Sequence, residues 1–398
     1  MNLYEASEQW ATRPPDERFS SVPEMLNACK KYYATAAEAS LAAAKLKAVA
    51  DEKEVKLLGQ KGNESKLTYW AFGQLAHKAN APANYLRTLP TTVAAECLNF
   101  GFQRFKESNA SLELMFHQLP DENGQPPLPQ TPSENPLLLR AITSDKYKRI
   151  WNWEVVERLQ DLLGKGWRIP PARPFKKNQP GTRRATQDDI LRDQDFLSIE
   201  EGDLIAPAGL YASDHDMFAF LIFENAHIED GTGGGLSRGV FFENSEVGDK
   251  ALRCTTFLYR HVCGNHIVWD VSEVNKRIIR HVGKARDKFT DIFKYLQSYQ
   301  NASAIKDTQK IQKARKKTIA KDRKETVNKL FGRFGNSITR EQLENAFDYA
   351  DFYTDTDGDP TTVWGMTQGI TRLSQQSQFA DERTKLDRTA GKVLRIAF

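Results

Sequence analysis

The chain has 398 residues, 40% of them hydrophobic and 27% charged, with a net charge of +4 and four cysteines. That length can bury a substantial core in two or three units, and the composition is that of a soluble globular protein. No apolar run reaches about 18 residues, and the opening MNLYEASEQWATRPPDERF lacks the basic and apolar regions of an export signal. The reading therefore expects a cytoplasmic protein with no membrane segment. Its cysteines (Cys29, Cys97, Cys254, Cys263) are too few for a disulfide framework and should stay reduced.

In chain order, Met25 to Asp51 reads as one long helix, because Leu26, Ala36, Ala39, Ala42, Ala43 and Leu46 recur at roughly helical spacing. Glu54 to Gly59 suits a strand, and LTYWAFGQLAHKA a helix carrying Leu67, Trp70, Ala71, Leu75 and Ala79 on one face. APANYLRTL and PTTVAAECLNFGFQRF, each opening near a proline, suggest two more helices. Residues 1–118 are thus expected to be mainly helical. The segment 119–136, PDENGQPPLPQTPSENP at its heart, has no periodicity and reads as a linker.

Residues 137–300 form the expected central α+β domain. LLLRAITS reads as a strand and NWEVVERLQDLLGKG as a helix ended by glycine. Between Glu201 and Asp270, aromatic and β-branched runs alternate with glycine, asparagine and aspartate clusters, which predicts an antiparallel β-meander. From Val271 to about Leu330 the pattern returns to helix, with Ile278, Ile279, Val282, Phe289, Ile292, Phe293 and Leu296 as its stripe. Residues 301–398 complete the chain as long basic helices. The order of helices, sheet and helices means an α+β fold rather than a doubly wound one.

Charge distribution says more than its total. Lys306 to Arg333 holds eleven basic residues against three acidic ones, a local excess of eight. Its core is Lys313, Arg315, Lys316, Lys317, Lys321, Arg323 and Lys324. A second basic run includes Lys176, Lys177, Arg183 and Arg184. Such excess attracts phosphate backbones by counterion release, although a solvated helix face would look the same. Phe331 and Phe334 lie where they could stack on bases or pack as core.

The constellations that suggest chemistry are weaker. YRHVCGNHIVWD places His261, Cys263 and His266 together, but at most two ligands share a strand face and no CxxC knuckle occurs, so no metal is expected. Asp214-His215-Asp216, near Glu243 and Glu246, has the residue types of an acid/base centre and equally suits an exposed hairpin corner. DTDGDP mimics the start of a calcium loop, with its glycine misplaced and Met366 where the twelfth ligand belongs, so it reads as a turn. GTGGGLSRG lacks the order of a phosphate-binding loop. No catalytic residue and no cofactor is assigned.

Several segments together carry a family resemblance: DERF, LTYWAFGQLAHKANAPANYLRTLP, LRAITSDKYKR, RGVFFENSEVG, YRHVCGNHIVW, RHVG and DERTKLDRTAGKVL, in this order over nearly the whole chain. They resemble the phage/plasmid-related family catalogued as domain of unknown function number 932. Arg238, Asn244, Glu246, Arg260, Cys263 and Asn265 are the positions carried over as family motif, the last three as its Arg-x-x-Cys-x-Asn turn. The resemblance implies a mobile-element protein acting in a bacterial host, in DNA metabolism or in conflict with that host, and supplies no catalytic residue. The expected hairpins followed by a helix are also compatible with the β-β-β-α core of single-strand annealing proteins, by analogy alone.

Three functions follow as expectations. One is a non-enzymatic, homo-oligomeric nucleic-acid-binding protein, DNA being the expected ligand and single-strand annealing or recombination the setting. Another is a phage-host conflict protein, an enzyme or an inhibitor of a host partner, centred on Asp214, His215 and Asp216. The third is a self-assembling protein whose basic segment meets acidic residues between 341 and 359.

Overall fold

The computed structural model describes residues 13, 16–59, 62–119, 137–174, 182–191, 199–223, 228–229, 231, 235–261, 265–267, 277–283 and 288–398. Lys176, Lys177, Cys263 and the proline-rich linker core lie outside these residues, as does the side chain of Asn265.

The aromatic runs pair into the expected antiparallel meander. Strands Leu210–Ala212, Met217–Phe223, Leu236–Asn244 and Leu252–Arg260 lie side by side in chain order. Glu17–Phe19 joins the first, Trp167–Arg168 the second, and Asn265–Ile267 and Arg277–Ile279 share the far side of the last. The two-residue period sends Met217, Ala219 and Leu221 to one face and Phe218, Phe220 and Ile222 to the other. Both faces are buried. Helices Val22–Ala34, Asn152–Leu163 and Phe289–Gln300 pack on the first, while Arg383 and Arg388 of helix Ala380–Leu394 lie over Phe220 and Phe241 on the second. Gly239 is required here, since a Cβ at that position would sit 2.4 Å from the Phe257 ring.

A second sheet of six strands follows the order Ala36–Ala42, Ser111–Gln118, Leu137–Ser144, Glu64–Leu67, Val55–Leu58 and Ala48–Ala50. Its one parallel pair joins Glu64–Leu67 to Leu137–Ser144. Helices Tyr69–Lys78 and Thr91–Phe102 cover it through Phe72, Leu75, Leu98 and Phe102. A small sheet joins Arg173–Pro174, Leu204–Ala206 and Arg183–Arg184. Near the C-terminus, helices Arg323–Phe334, Arg340–Phe352, Val363–Gln375 and Ala380–Leu394 share a separate apolar core. The fold is α+β, and no helix among the described residues is long and apolar enough to cross a membrane.

Three helical expectations are corrected. The first helix stops at Ala34, and Ala36–Ala42 pairs antiparallel with Ser111–Gln118, so residues 1–118 hold five of that sheet's six strands as well as helices. Alanine-rich sequence favours helix by only tenths of a kcal/mol per residue, which pairing and the burial of Leu41 at the sheet core outweigh. Likewise Arg277–Ile279 is a strand on Leu252–Cys254, leaving Ile278 and Val282 about half exposed rather than in a helical stripe. The basic region beyond it is broken into 12-residue helices, Ile305–Lys316 and Arg323–Phe334.

Candidate functional site

The basic residues expected to bind nucleic acid fall into distinct environments. Helix Ile305–Lys316 buries Asp307, Ile311 and Ala314 on its inner side. Lys306, Lys310 and Lys313 follow one another at spacings of four and three residues, so they rise along one face, and Lys317 continues that file at the C-cap. Lys313, Lys316, Lys317, Lys321 and Lys324 are exposed around the corner that leads into helix Arg323–Phe334. Among the described residues, none of these five ammonium groups meets a carboxylate. The corner itself is fixed, because Ile319 donates its backbone N–H to Thr361 and Val363 donates to Lys317.

The remaining members are engaged elsewhere. Arg323 pairs with Asp348 at 2.8 Å, and Arg315 lies half-buried beside the Gly231 turn. Arg183 is held by both oxygens of Asp189, and Arg184 donates to the Gly202 carbonyl, so these two brace the small sheet. Phe331 and Phe334 pack against the C-terminal helical core, as the bland alternative held. Among the exposed aromatics, Phe398 has Lys310 Nζ 5.4 Å from its ring centroid, a pairing the sequence reading did not offer. Only tertiary contact brings these two together.

The family-motif positions whose side chains are described, Arg238, Asn244, Glu246 and Arg260, are buried and hold elements together. Arg238, 1% exposed, donates to Asp307 at 3.0 Å and to the carbonyls of Ala302 and Ser303, which pins the start of the lysine-bearing helix to the central sheet. Arg260 donates to Asp357 and to the Thr356 carbonyl, and Asp357 also accepts from Arg372. Burial opposes the charged form of Asp357, but Arg372 and Arg260 overcome it and hold its carboxyl below the usual range. The calcium-like DTDGDP segment, expected as a turn, instead begins in the short helix Thr354–Asp357 that Gly358 closes at a φ of 79°, and its middle aspartate serves as counter-ion to two arginines. Asn244 donates to the Ile150 carbonyl and to Asn152. Glu246 takes Arg140 at 3.1 Å and the Asn152 N–H at 2.7 Å.

Asp214, His215 and Asp216 do form a hairpin corner between strands Leu210–Ala212 and Met217–Phe223, but a buried one rather than an exposed one. His215 Nδ1 lies 2.7 Å from Asp214, and Nε2 lies 3.5 Å from Asp216. Burial opposes the imidazolium, yet the hydrogen bond to Asp214 and the charges of Asp216 and Asp214 prevail and raise the His215 pKa above its ordinary value. Asp214 accepts the Trp70 N–H at the start of helix Tyr69–Lys78, where the helix dipole favours an anion, and Trp70 stacks on His215. Arg140 bridges this corner to the second sheet, donating to the Asp214 carbonyl, Glu246 and His117. Glu243, named with this centre, is held by Arg253 and Arg388.

The chemistry this corner permits is limited. Ser213 and Asp214 both approach Nδ1 of His215, whereas a serine nucleophile needs its base at the other ring nitrogen. His215, Asp216 and Asp381 are the one group of potential metal ligands that converges among the described residues, with donor atoms within 4.8 Å of one another. Lys250 already lies 2.6 Å from Asp216, and Arg13 lies 3.0 Å from Asp381, so side chains supply the positive charge a divalent ion would bring. The corner acts as a clamp between the two sheets.

No curated protein and no solved structure matches the chain. The family model described as Domain of unknown function (DUF932) matches residues 186–393, just over half of the 398, and spans the meander and the C-terminal helices. The quoted segments before residue 186 lie outside that match, which is shorter than the sequence resemblance suggested. On that match, which takes in Arg238, Asn244, Glu246, Arg260, Cys263 and Asn265, the chain belongs to the DUF932 family.

Proposed function

We propose that this chain is a non-enzymatic nucleic-acid-binding protein of phage or plasmid origin, acting on DNA in the bacterial cytoplasm. The observation that carries the reading is the lysine file of helix Ile305–Lys316 and the exposed lysines of the corner that follows. Like charges three or four residues apart on a helix destabilise it by about 0.2–0.5 kcal/mol per pair. Lys313, Lys316 and Lys317 are exposed and meet no carboxylate among the described residues, and a polyanion would turn their mutual repulsion into attraction. Lys324 adds to this, since it occupies the first turn of its helix, where the dipole disfavours a cation.

Catalysis at Asp214, His215 and Asp216, the conflict-protein alternative, is less well supported because each of these groups already has a charged or hydrogen-bonding partner. Self-association through residues 341–359 draws support from the Arg323–Asp348 pair, although that pair closes within one chain. The succession of three paired strands and helix Phe289–Gln300 packed against them keeps the annealing analogy open as to setting, and assembly into homo-oligomers belongs to the same proposal. Fluorescence anisotropy with labelled oligonucleotides tests the reading. Binding should be lost in Lys316→Glu/Lys317→Glu, while equal binding by wild type and this variant would refute it.

A further inference from the structure

Helix Thr91–Phe102 carries apolar residues on both of its sides. Ala94, Ala95, Leu98 and Phe102 line the inner face and belong to the core it shares with the six-stranded sheet. On the outer face Val93 is 40% exposed, Cys97 is an exposed free thiol and Phe100 is 76% exposed. Single exposed apolar residues are ordinary on a protein surface. These three follow one another at spacings of four and three residues, the seam with which one helix packs on another. Charge frames the seam. Glu96 lies four residues before Phe100, and Arg104, in the 3-10 turn Gln103–Phe105 that continues the helix, lies four after it. Both are exposed, and among the described residues neither meets a group of opposite charge.

We infer that this face is an interface between two copies of the chain, with their Thr91–Phe102 helices antiparallel about a two-fold axis at Phe100. The charges name the occupant, because an acid and a base equally spaced from one aromatic centre make the surface complementary to itself. The axis lays Phe100 on its equivalent, draws Val93 and Cys97 out of water and sets each Glu96 opposite the other copy's Arg104. Phe352, 80% exposed, offers no such symmetry, since Asp348, Asp351 and Asp355 stand at neighbouring exposed positions and a second copy there would bring like charges together. The inference gives a surface to the homo-oligomeric part of the proposed function and rests on that part alone, apart from nucleic-acid binding.

The test is sedimentation velocity on the full chain without nucleic acid, over a range of protein concentrations. Wild type should pass from monomer to dimer, and Phe100→Asp should hold it monomeric across the same range. Glu96→Arg and Arg104→Glu each oppose like charges and should weaken the dimer by about tenfold. The double variant Glu96→Arg/Arg104→Glu exchanges the charges and should restore it, a rescue that damage to the fold would not give. Weakening by the single variants without rescue would overturn the antiparallel arrangement. If wild type associates and none of these variants alters the association, assembly uses another surface and this inference alone is refuted. If wild type stays monomeric throughout, homo-oligomeric assembly falls and this inference with it, while the oligonucleotide measurement still decides the nucleic-acid reading.

Discussion

At the scale of single residues, the molecule uses its buried charges to fasten elements. Asp357 is the clearest case, with Arg260 and Arg372 both donating to one carboxylate at no solvent exposure. Removing one partner of such a cluster leaves the others buried and uncompensated, which typically costs about 3–5 kcal/mol. Asp357→Ala should therefore lower the unfolding midpoint sharply in a thermal melt, and an unchanged melt would show that the two arginines find other partners. His215 gives a pH signature. Its folded pKa is raised above the ordinary 6.5, so the stability it contributes is complete below that value and is lost as pH rises through the higher folded one. Unfolding free energy measured by urea titration should fall along that alkaline limb, and His215→Gln should flatten it. These roles were hidden in the sequence, where Asp357 suggested a calcium loop and His215 a catalytic centre, because neither spacing nor composition names a partner about 15 to 145 residues away.

At the scale of elements, local pattern was informative wherever burial and period agreed. The meander was legible because both faces of Met217–Phe223 are apolar, Leu236–Asn244 carries the run Val240, Phe241 and Phe242, and the sequence between them is rich in glycine. The helix at Asn152–Leu163 was equally plain, with Val155, Val156, Leu159 and Leu162 facing inward. Ala36–Ala42 was not, since an alanine run carries helical propensity and reveals nothing of the strand at Ser111–Gln118 that claims it. Close helix packing was also invisible. A Cβ at Gly369 would come within 2.0 Å of the Ala346 carbonyl oxygen, so helices Arg340–Phe352 and Val363–Gln375 meet backbone to backbone. Gly369→Ala should force them apart and cost about 1–3 kcal/mol, read as a lower denaturant midpoint. Unaltered stability would mean that the pair can slide.

At the scale of the whole molecule, two sheets are joined by the Arg140 bridge and the clamp at Asp214, His215 and Asp216, while the family-matched part carries the meander and C-terminal helices. Arg238, in that sheet, sets the helix that bears the lysines, which is why a buried motif residue and an exposed basic face belong to one construction. The basic residues were legible in the sequence as a charge run. What was not legible was that Arg183 and Arg323 have carboxylate partners and that Phe398 returns to the lysine file. Charge that binds a backbone releases counterions, so each phosphate contact adds about 0.7 to the slope of log affinity against log salt for a single strand. The most direct measurement is that slope for an oligothymidylate, taken for wild type and for Lys313→Gln. A steep negative slope in wild type, made shallower by about one contact in Lys313→Gln, is the expected result. Binding that does not change with salt, or a slope indifferent to Lys313, would contradict the assignment of this face to nucleic acid.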